Sequence, residues 1–256
     1  MLDSIKIYDT EHTKERVGSK KDGGYVVLNE ISKDTQVLLS YGVEDNTSFE
    51  NDFTHKFGCV AHLFDHTIDG LDPNSDSKRF TFHKEGISHV KTKDCDTLMT
   101  HLSKFGNRDH VTLKMDVEWC EWAVFETFPE DYLDFFDQIL CEFHLIPMDY
   151  KGGHSPYFTK FHSRVYDEIN DLLMKRYAGV MHKLQRHFYV FHAHCNNSLP
   201  CNVVNGADVP PLLELSLVRK DLVKNPKLAT GPWPDPVLDY PNKGDRPDIT
   251  HLHWNQ

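Results

Sequence analysis

The chain has 256 residues, 39% of them hydrophobic, enough for one large α/β domain or two small ones. Its formal net charge of −11 works against a binder of nucleic-acid phosphates, and no run approaches the ~18 apolar residues of a membrane span. The six cysteines (59, 95, 120, 141, 195 and 201) show no CxxC, and Cys59, Cys120 and Cys141 lie in or beside apolar runs, so free thiols in a reducing, cytoplasmic setting are expected.

Residues 1–34 read as an N-terminal extension. In ERVGSKKDGGYVVLNEI a Gly23-Gly24 turn precedes the strand-like Tyr25-Val26-Val27-Leu28, which predicts a small hairpin or lid. Residues 35–224 then alternate strand and helix. QVLLSY (36–41) is a strand closed by Gly42, and residues 46–57 space Phe49, Phe53 and Phe57 four apart on a helix face. Strands follow at 59–64, ending on Asp65, and at 79–83, ending near Gly86. A helix over 94–105 carries Leu98, Met99, Leu102 and Phe105 on one side. The strand 111–115 ends on Asp116, a helix over 118–128 stops at Pro129, and the strand 138–143 ends near His144. A long helix over 158–177 and strands at 188–194 and 212–218 complete the domain. Six prolines in residues 225–256 predict an irregular tail packed on the domain.

Alternating strands and helices predict a Rossmann-like α/β fold, a seven-stranded parallel sheet with helices on both faces. Ligands of such sheets bind beyond the carboxyl ends of the strands, which lines up Gly42, Asp65, Gly86, Asp116 and His144 along one rim. Gly42 permits close backbone approach, and Asp65, 23 residues on, suits a ribose diol, with a helix N-cap as its plainer role. The first bend, YGVEDNTSFEND, lacks the further glycines of a dinucleotide fingerprint. Glu44 and Asp45 there would repel a diphosphate but suit a cation, and S-adenosylmethionine carries an ammonium and a sulfonium with no phosphate.

The segments DGGYVV, LLSYGVEDNTSFEND, HLFDHT, FHKEGIS, LKMDVEWCEW, ILCEFH and FHAHCNN, in this order, resemble the FkbM-type S-adenosylmethionine-dependent methyltransferases across roughly residues 15–200, and DYPNKGDRPDI resembles the tail of some relatives. The resemblance implies a class I methyltransferase sheet in which Tyr41, Gly42 and Glu44 line the methionine end of the cofactor. It further implies that Asp65, His66 and Thr67 meet the ribose, that Gly86 and Ile87 border the adenine, and that Asp116 stands next to the methyl. Relatives usually read D-[IV]-E-G-x-E-W, whereas here Trp119 replaces the glycine, a departure expected to reshape the acceptor pocket.

Methyl transfer to a hydroxyl needs a positioned acceptor and a base or metal that acidifies it. Asp116 and His144 are the candidate catalytic pair. Asp116, Glu142, His144 and His194 form a candidate metal set of the kind that holds Mg²⁺ or Mn²⁺. Trp119, Tyr150, Tyr157 and Asn196 are candidate acceptor contacts, and KGGHSPY (151–157) is a candidate gating loop. The resemblance implies an O-methyltransferase with small hydroxyl acceptors, including sugars and polyketides; the aromatic content and the His/Asp/Glu cluster favour a small or glycan-linked sugar hydroxyl, such as that of rhamnose or fucose, with the chain working within a larger glycan-building protein or alone. A metal-dependent hydrolase would instead need metal and no adenosyl ligand, and a binding module blocked by Trp119 would hold the cofactor without turnover.

Overall fold

The computed structural model of the chain describes residues 2–71, 78–105, 109–145, 163–204 and 207–250. Lys14–Gly18 (β1) and Gly24–Leu28 (β2) form the N-terminal antiparallel hairpin. Val37–Tyr41 (β3), Val60–Phe64 (β4), Phe80–His83 (β5), Val111–Met115 (β6), Phe136–His144 (β7), Phe188–Asn196 (β8) and Leu212–Arg219 (β9) make one seven-stranded sheet. Ser48–Phe57 (α1), Leu98–Phe105 (α2), Cys120–Thr127 (α3) and Ser163–His187 (α4) are the main helices.

The strand order is β8-β9-β7-β6-β3-β4-β5. Strands β3 to β7 pair in parallel, while β9 runs antiparallel to both neighbours. The fully parallel sheet expected from the alternation is therefore corrected at one strand. Among the described residues no helix separates β8 from β9, and a chain returning without a crossover enters antiparallel. Order reverses between β3 and β6, so the crevice of this Rossmann-like α/β fold opens beside Gly42 and Asp116.

Helices cover both faces because neither face of the sheet is polar enough to meet water. On one, Leu98, Trp122, Phe125, Tyr177, Met181 and Leu184 bury against Leu39, Leu113, Ile139, Phe143 and Leu215. The apolar stripe of α4 runs on through Tyr177, Val180, Met181 and Leu184, which is why this helix extends past the expected end at 177; residues 158–162 of the expected helix lie outside the described residues. On the other face, α1 and the hairpin bring Phe49, Phe53, Val17, Tyr25 and Val27 onto Leu38, Ala61, Leu63 and Leu140.

The hairpin also explains polar residues in the sheet interior. Gln138 Oε1 accepts from the Leu28 N–H at 2.8 Å while its amide donates to the Ser32 hydroxyl at 2.8 Å. The Ser216 hydroxyl donates to the Val26 carbonyl at 2.7 Å. Buried backbone groups of β2 thus find side-chain partners in the sheet.

A β-bulge between Val190 and His192 shifts the alternation of β8, so Phe191 packs with Val26 and Leu28 while Val190 and Ala193 join the helix-covered core. The tail then fastens to the polar residues of β8 and β9. Asp239 meets His192 at 2.8 Å, Asp248 meets His194 at 3.2 Å, and the Asn242 amide donates to Glu214 at 3.0 Å. The Asn197 amide donates to the carbonyls of Lys243 and Arg246, each at 3.1 Å. No helix among the described residues is long and apolar enough to cross a membrane.

Candidate active site

The bend after β3 is drawn tight against the end of β6. The Gly42 N–H donates to the Phe64 carbonyl at 3.0 Å, and the Asp116 N–H to the Tyr41 carbonyl at 3.1 Å. Gly42 has φ +71°, and a β-carbon on it would sit 1.6 Å from the Asp116 carbonyl oxygen. Asp65 secures the same bend. One carboxylate oxygen accepts from the N–H groups of Val43 (3.2 Å) and Glu44 (3.0 Å), the other from the Thr67 N–H (2.8 Å) and hydroxyl (2.6 Å). Burial would raise the pKa of Asp65, but these four bonds outweigh it and keep the group below the usual carboxylate range.

A cavity of about 520 Å³ opens along this rim. Gly42, Glu44, Asp65, His66, Thr67, Gly86 and Ile87 line it, as do Asp116, Trp119, Glu142, His144 and Asn196. Asp22 and Gly23 from the hairpin turn also border it. Two expected members are not among its lining. Tyr41 turns its ring into the core, where it stacks on Phe64 at 4.7 Å and its hydroxyl lies 3.2 Å from His101 Nδ1. His194 is engaged by Glu214 (3.1 Å) and Asp248 (3.2 Å) through its two ring nitrogens. Tyr150, Tyr157 and the 151–157 loop lie outside the described residues.

Carboxylates crowd the cavity and disturb one another. Glu44 is raised above the usual carboxyl range by partial burial and by Asp116, Glu118, Asp65 and Asp45. Glu142, 4% exposed, is pushed well above it by burial and by Asp116 and Glu214. The Asn196 amide donates to Glu142 at 2.8 Å and is itself fixed by Ser198, whose N–H and hydroxyl donate to Asn196 Oδ1 at 2.9 and 2.6 Å.

His144 ends β7 and faces Glu121, the second residue of α3. Its Nδ1 lies 2.9 Å from Glu121 Oε1, which also accepts the Val117 N–H at 3.0 Å. A carboxylate only accepts, so Nδ1 carries a proton; Nε2, the acceptor of the neutral ring, lies 3.4 Å from the exposed Glu118 carboxylate and pairs with it when the ring is protonated. Burial lowers the basicity of His144, but the bond and charge of Glu121, with Asp116 and Glu118, outweigh it and leave the imidazole raised above its ordinary 6.5. Trp119 stands beside the ring at 5.6 Å between centroids.

A family model described as a methyltransferase domain matches residues 7–184. The chain belongs to this methyltransferase-domain family. No curated protein matches the chain. Among solved structures it is similar to "Putative hemolysin from Streptococcus thermophilus", at 9% identity and a TM-score of 0.38, over 73% of this chain and 60% of that one. It is also similar to the Methanococcus jannaschii fibrillarin pre-rRNA processing protein, at 8% identity and a TM-score of 0.38, over 82% of this chain and 83% of that one.

Membership of the methyltransferase-domain family implies S-adenosylmethionine as the methyl donor. Within this methyltransferase domain, Asp116 and His144 do come together, but with Glu121 rather than Glu142 or His194: ligand atoms of Asp116, Glu121 and His144 all lie within 4.8 Å of one another. Glu121 Oε1 and His144 Nδ1 are engaged with each other, while Glu121 Oε2 is buried without a partner. A divalent ion would be held here by Asp116, Glu121 and His144, with Glu121 in place of the expected Glu142 and His194. The arrangement is a carboxylate-oriented imidazole.

Glu121 was not singled out by sequence reading, because a glutamate in the first turn of a helix reads as a dipole partner. Its sequence signal is weak: only the fold brings α3 under the end of β7. Lys114 was missed for a related reason, being one residue inside an apolar strand.

Proposed function

We propose that the chain is an S-adenosylmethionine-dependent O-methyltransferase of FkbM type, acting on a sugar hydroxyl. The observation that carries the reading is the pairing, in one cavity, of a carboxylate-rich lining with His144, which Glu121 orients. The first suits a cationic donor. The second suits an oxygen nucleophile that must lose a proton.

In this reading the acceptor lies between Trp119, Asn196 and Glu142, and its hydroxyl points to His144 Nε2. As the acceptor oxygen bonds to the methyl carbon, the carbon–sulfur bond breaks and the hydroxyl proton passes to Nε2. The departing sulfur leaves as a neutral thioether, and Glu121 stabilises the imidazolium that forms. Glu142, pushed well above the usual carboxyl range by burial and by Asp116 and Glu214, would contact a second hydroxyl of the acceptor. The indole of Trp119 offers an apolar face to the C–H side of a sugar ring. Asp65 shapes the bend around the ribose, and Gly86 and Ile87 border the adenine.

Thermal melting with S-adenosylhomocysteine tests the cofactor half. At about 100 Kd of ligand the native state gains about 2.7 kcal/mol, readily seen as a shift in Tm. Incubation with S-adenosylmethionine and a panel of hexoses and deoxyhexoses, read by mass spectrometry for a methylated sugar, tests the acceptor half. No shift with the thioether sinks the donor assignment, and methylation confined to amines or thiols sinks the hydroxyl.

A further inference from the structure

Lys114 is 5% exposed, yet it lines the cavity. Its ammonium donates to the Gly42 carbonyl at 2.6 Å and reaches the Tyr41 carbonyl at 3.5 Å, with the Tyr25 ring centroid 5.7 Å away. Among the described residues no carboxylate forms an ion pair with it, although Asp22, Glu44, Asp65, Asp116, Glu118 and Glu142 all border the same cavity. It is the one lysine or arginine among the described residues that line this space.

A buried ammonium held only by carbonyl oxygens is a charge without a paired counter-ion, and an anion entering the cavity would complete the site. The amino-acid end of S-adenosylmethionine presents such an anion. Its ammonium and sulfonium are welcome among the carboxylates, whereas its own carboxylate is repelled by all of them. The bend at Gly42 brings the Lys114 ammonium to the cavity, next to the backbone against which the donor would lie.

We infer that Lys114 is the anchor for the α-carboxylate of the methyl donor, an inference that rests on the donor assignment above. The Gly42 carbonyl orients the ammonium, and one remaining N–H is available to the carboxylate. The pocket therefore distinguishes an amino acid from a simple amine at the end of the adenosyl thioether. A charge-assisted bond of this kind corresponds to roughly 10- to 100-fold in affinity.

The test compares two ligands by calorimetry: S-adenosylhomocysteine and S-adenosyl-3-thiopropylamine, the same thioether without the carboxylate. The wild type should prefer the first by roughly 10- to 100-fold, and Lys114→Met should erase the preference by weakening that ligand alone. Should Lys114→Met fail to fold, Lys114→Gln, which keeps a donor for the Gly42 carbonyl, carries the same comparison. Equal wild-type affinities overturn the inference, as does a variant that loses both ligands equally, since that marks a structural lysine. A variant that keeps the ligand preference also overturns it, since the lysine then does not read the carboxylate. Failure of the wild type to bind either ligand is a separate result, and it removes the donor assignment itself.

Discussion

His144 Nδ1 and Glu121 Oε1 lie 2.9 Å apart with both side chains buried, where β7 ends and α3 begins. The bond fixes the tautomer of His144 and holds its pKa above the ordinary 6.5. A base works only when neutral, so kcat/KM should rise with pH through that raised value. Glu121→Gln removes the charge and should move the acidic limb of the profile to lower pH while turnover falls by about 10-fold or more. His144→Ala should abolish the limb and cut turnover by about 10²–10⁴-fold, with S-adenosylhomocysteine affinity nearly intact. An unchanged profile in both variants would remove the dyad from the mechanism.

The second expectation concerns Gly42. A β-carbon there meets a backbone oxygen at 1.6 Å, so no rotamer change can relieve it, and φ +71° adds the left-handed cost of about 1–2 kcal/mol. Gly42→Ala should destabilise the fold by on the order of 4 kcal/mol in urea unfolding and lose S-adenosylhomocysteine binding. A variant of wild-type stability would mean that the bend and the β6 end are not in contact.

How far the site could be read from the chain depends on where each residue sits. The strand ends were legible: Gly42, Asp65, Gly86, Asp116 and His144 follow apolar runs whose length fixes which end of the sheet they reach, and all five line the cavity. The antiparallel course of β9 was not, since nothing in LLELSLV distinguishes strand direction. Nor were the contacts that depend on distant elements meeting. Tyr41 follows the same run as Gly42, but one residue earlier in a strand points the side chain to the opposite face. His192 and His194 share a face with the cavity residues, but Asp239 and Asp248, 47 and 54 residues further on, claim them. The histidine surplus is partly structural as well: His62, His83 and His101 join Phe64 and Phe105 in one aromatic cluster.

Trp119 provides a third expectation. It occupies φ 81°, a left-handed conformation that is costly for a bulky residue, directly before α3. Glycine, the residue at this position in the FkbM-type pattern that the segment resembles, is the one such a backbone favours. Trp119→Gly should therefore leave unfolding stability unchanged or raise it by up to about 1 kcal/mol, the released strain offsetting the lost contact with His144. If the indole is the floor of the acceptor site, KM for the acceptor should rise about 10-fold while S-adenosylhomocysteine affinity stays put. A large loss of stability would instead make Trp119 a packing residue.

The last expectation follows from the tail. Burial pushes His194 down, but Glu214, Asp248 and Asp239 outweigh it and raise the imidazole to about 10. A folded-state pKa above the unfolded one stabilises the protonated form. That contribution is present in full below the ordinary 6.5 and is lost as pH rises toward and through about 10. The melting temperature of the wild type should accordingly fall between pH 7 and about pH 10, and His194→Gln should melt lower at pH 7 with a flatter dependence above it. The loss should be visible first in the tail, as increased hydrogen exchange around Asp239, Asn242 and Asp248, because these residues are held to β8 and β9 through His192, Glu214 and His194. Parallel wild-type and variant curves across this window would show that no imidazolium holds the tail to the sheet.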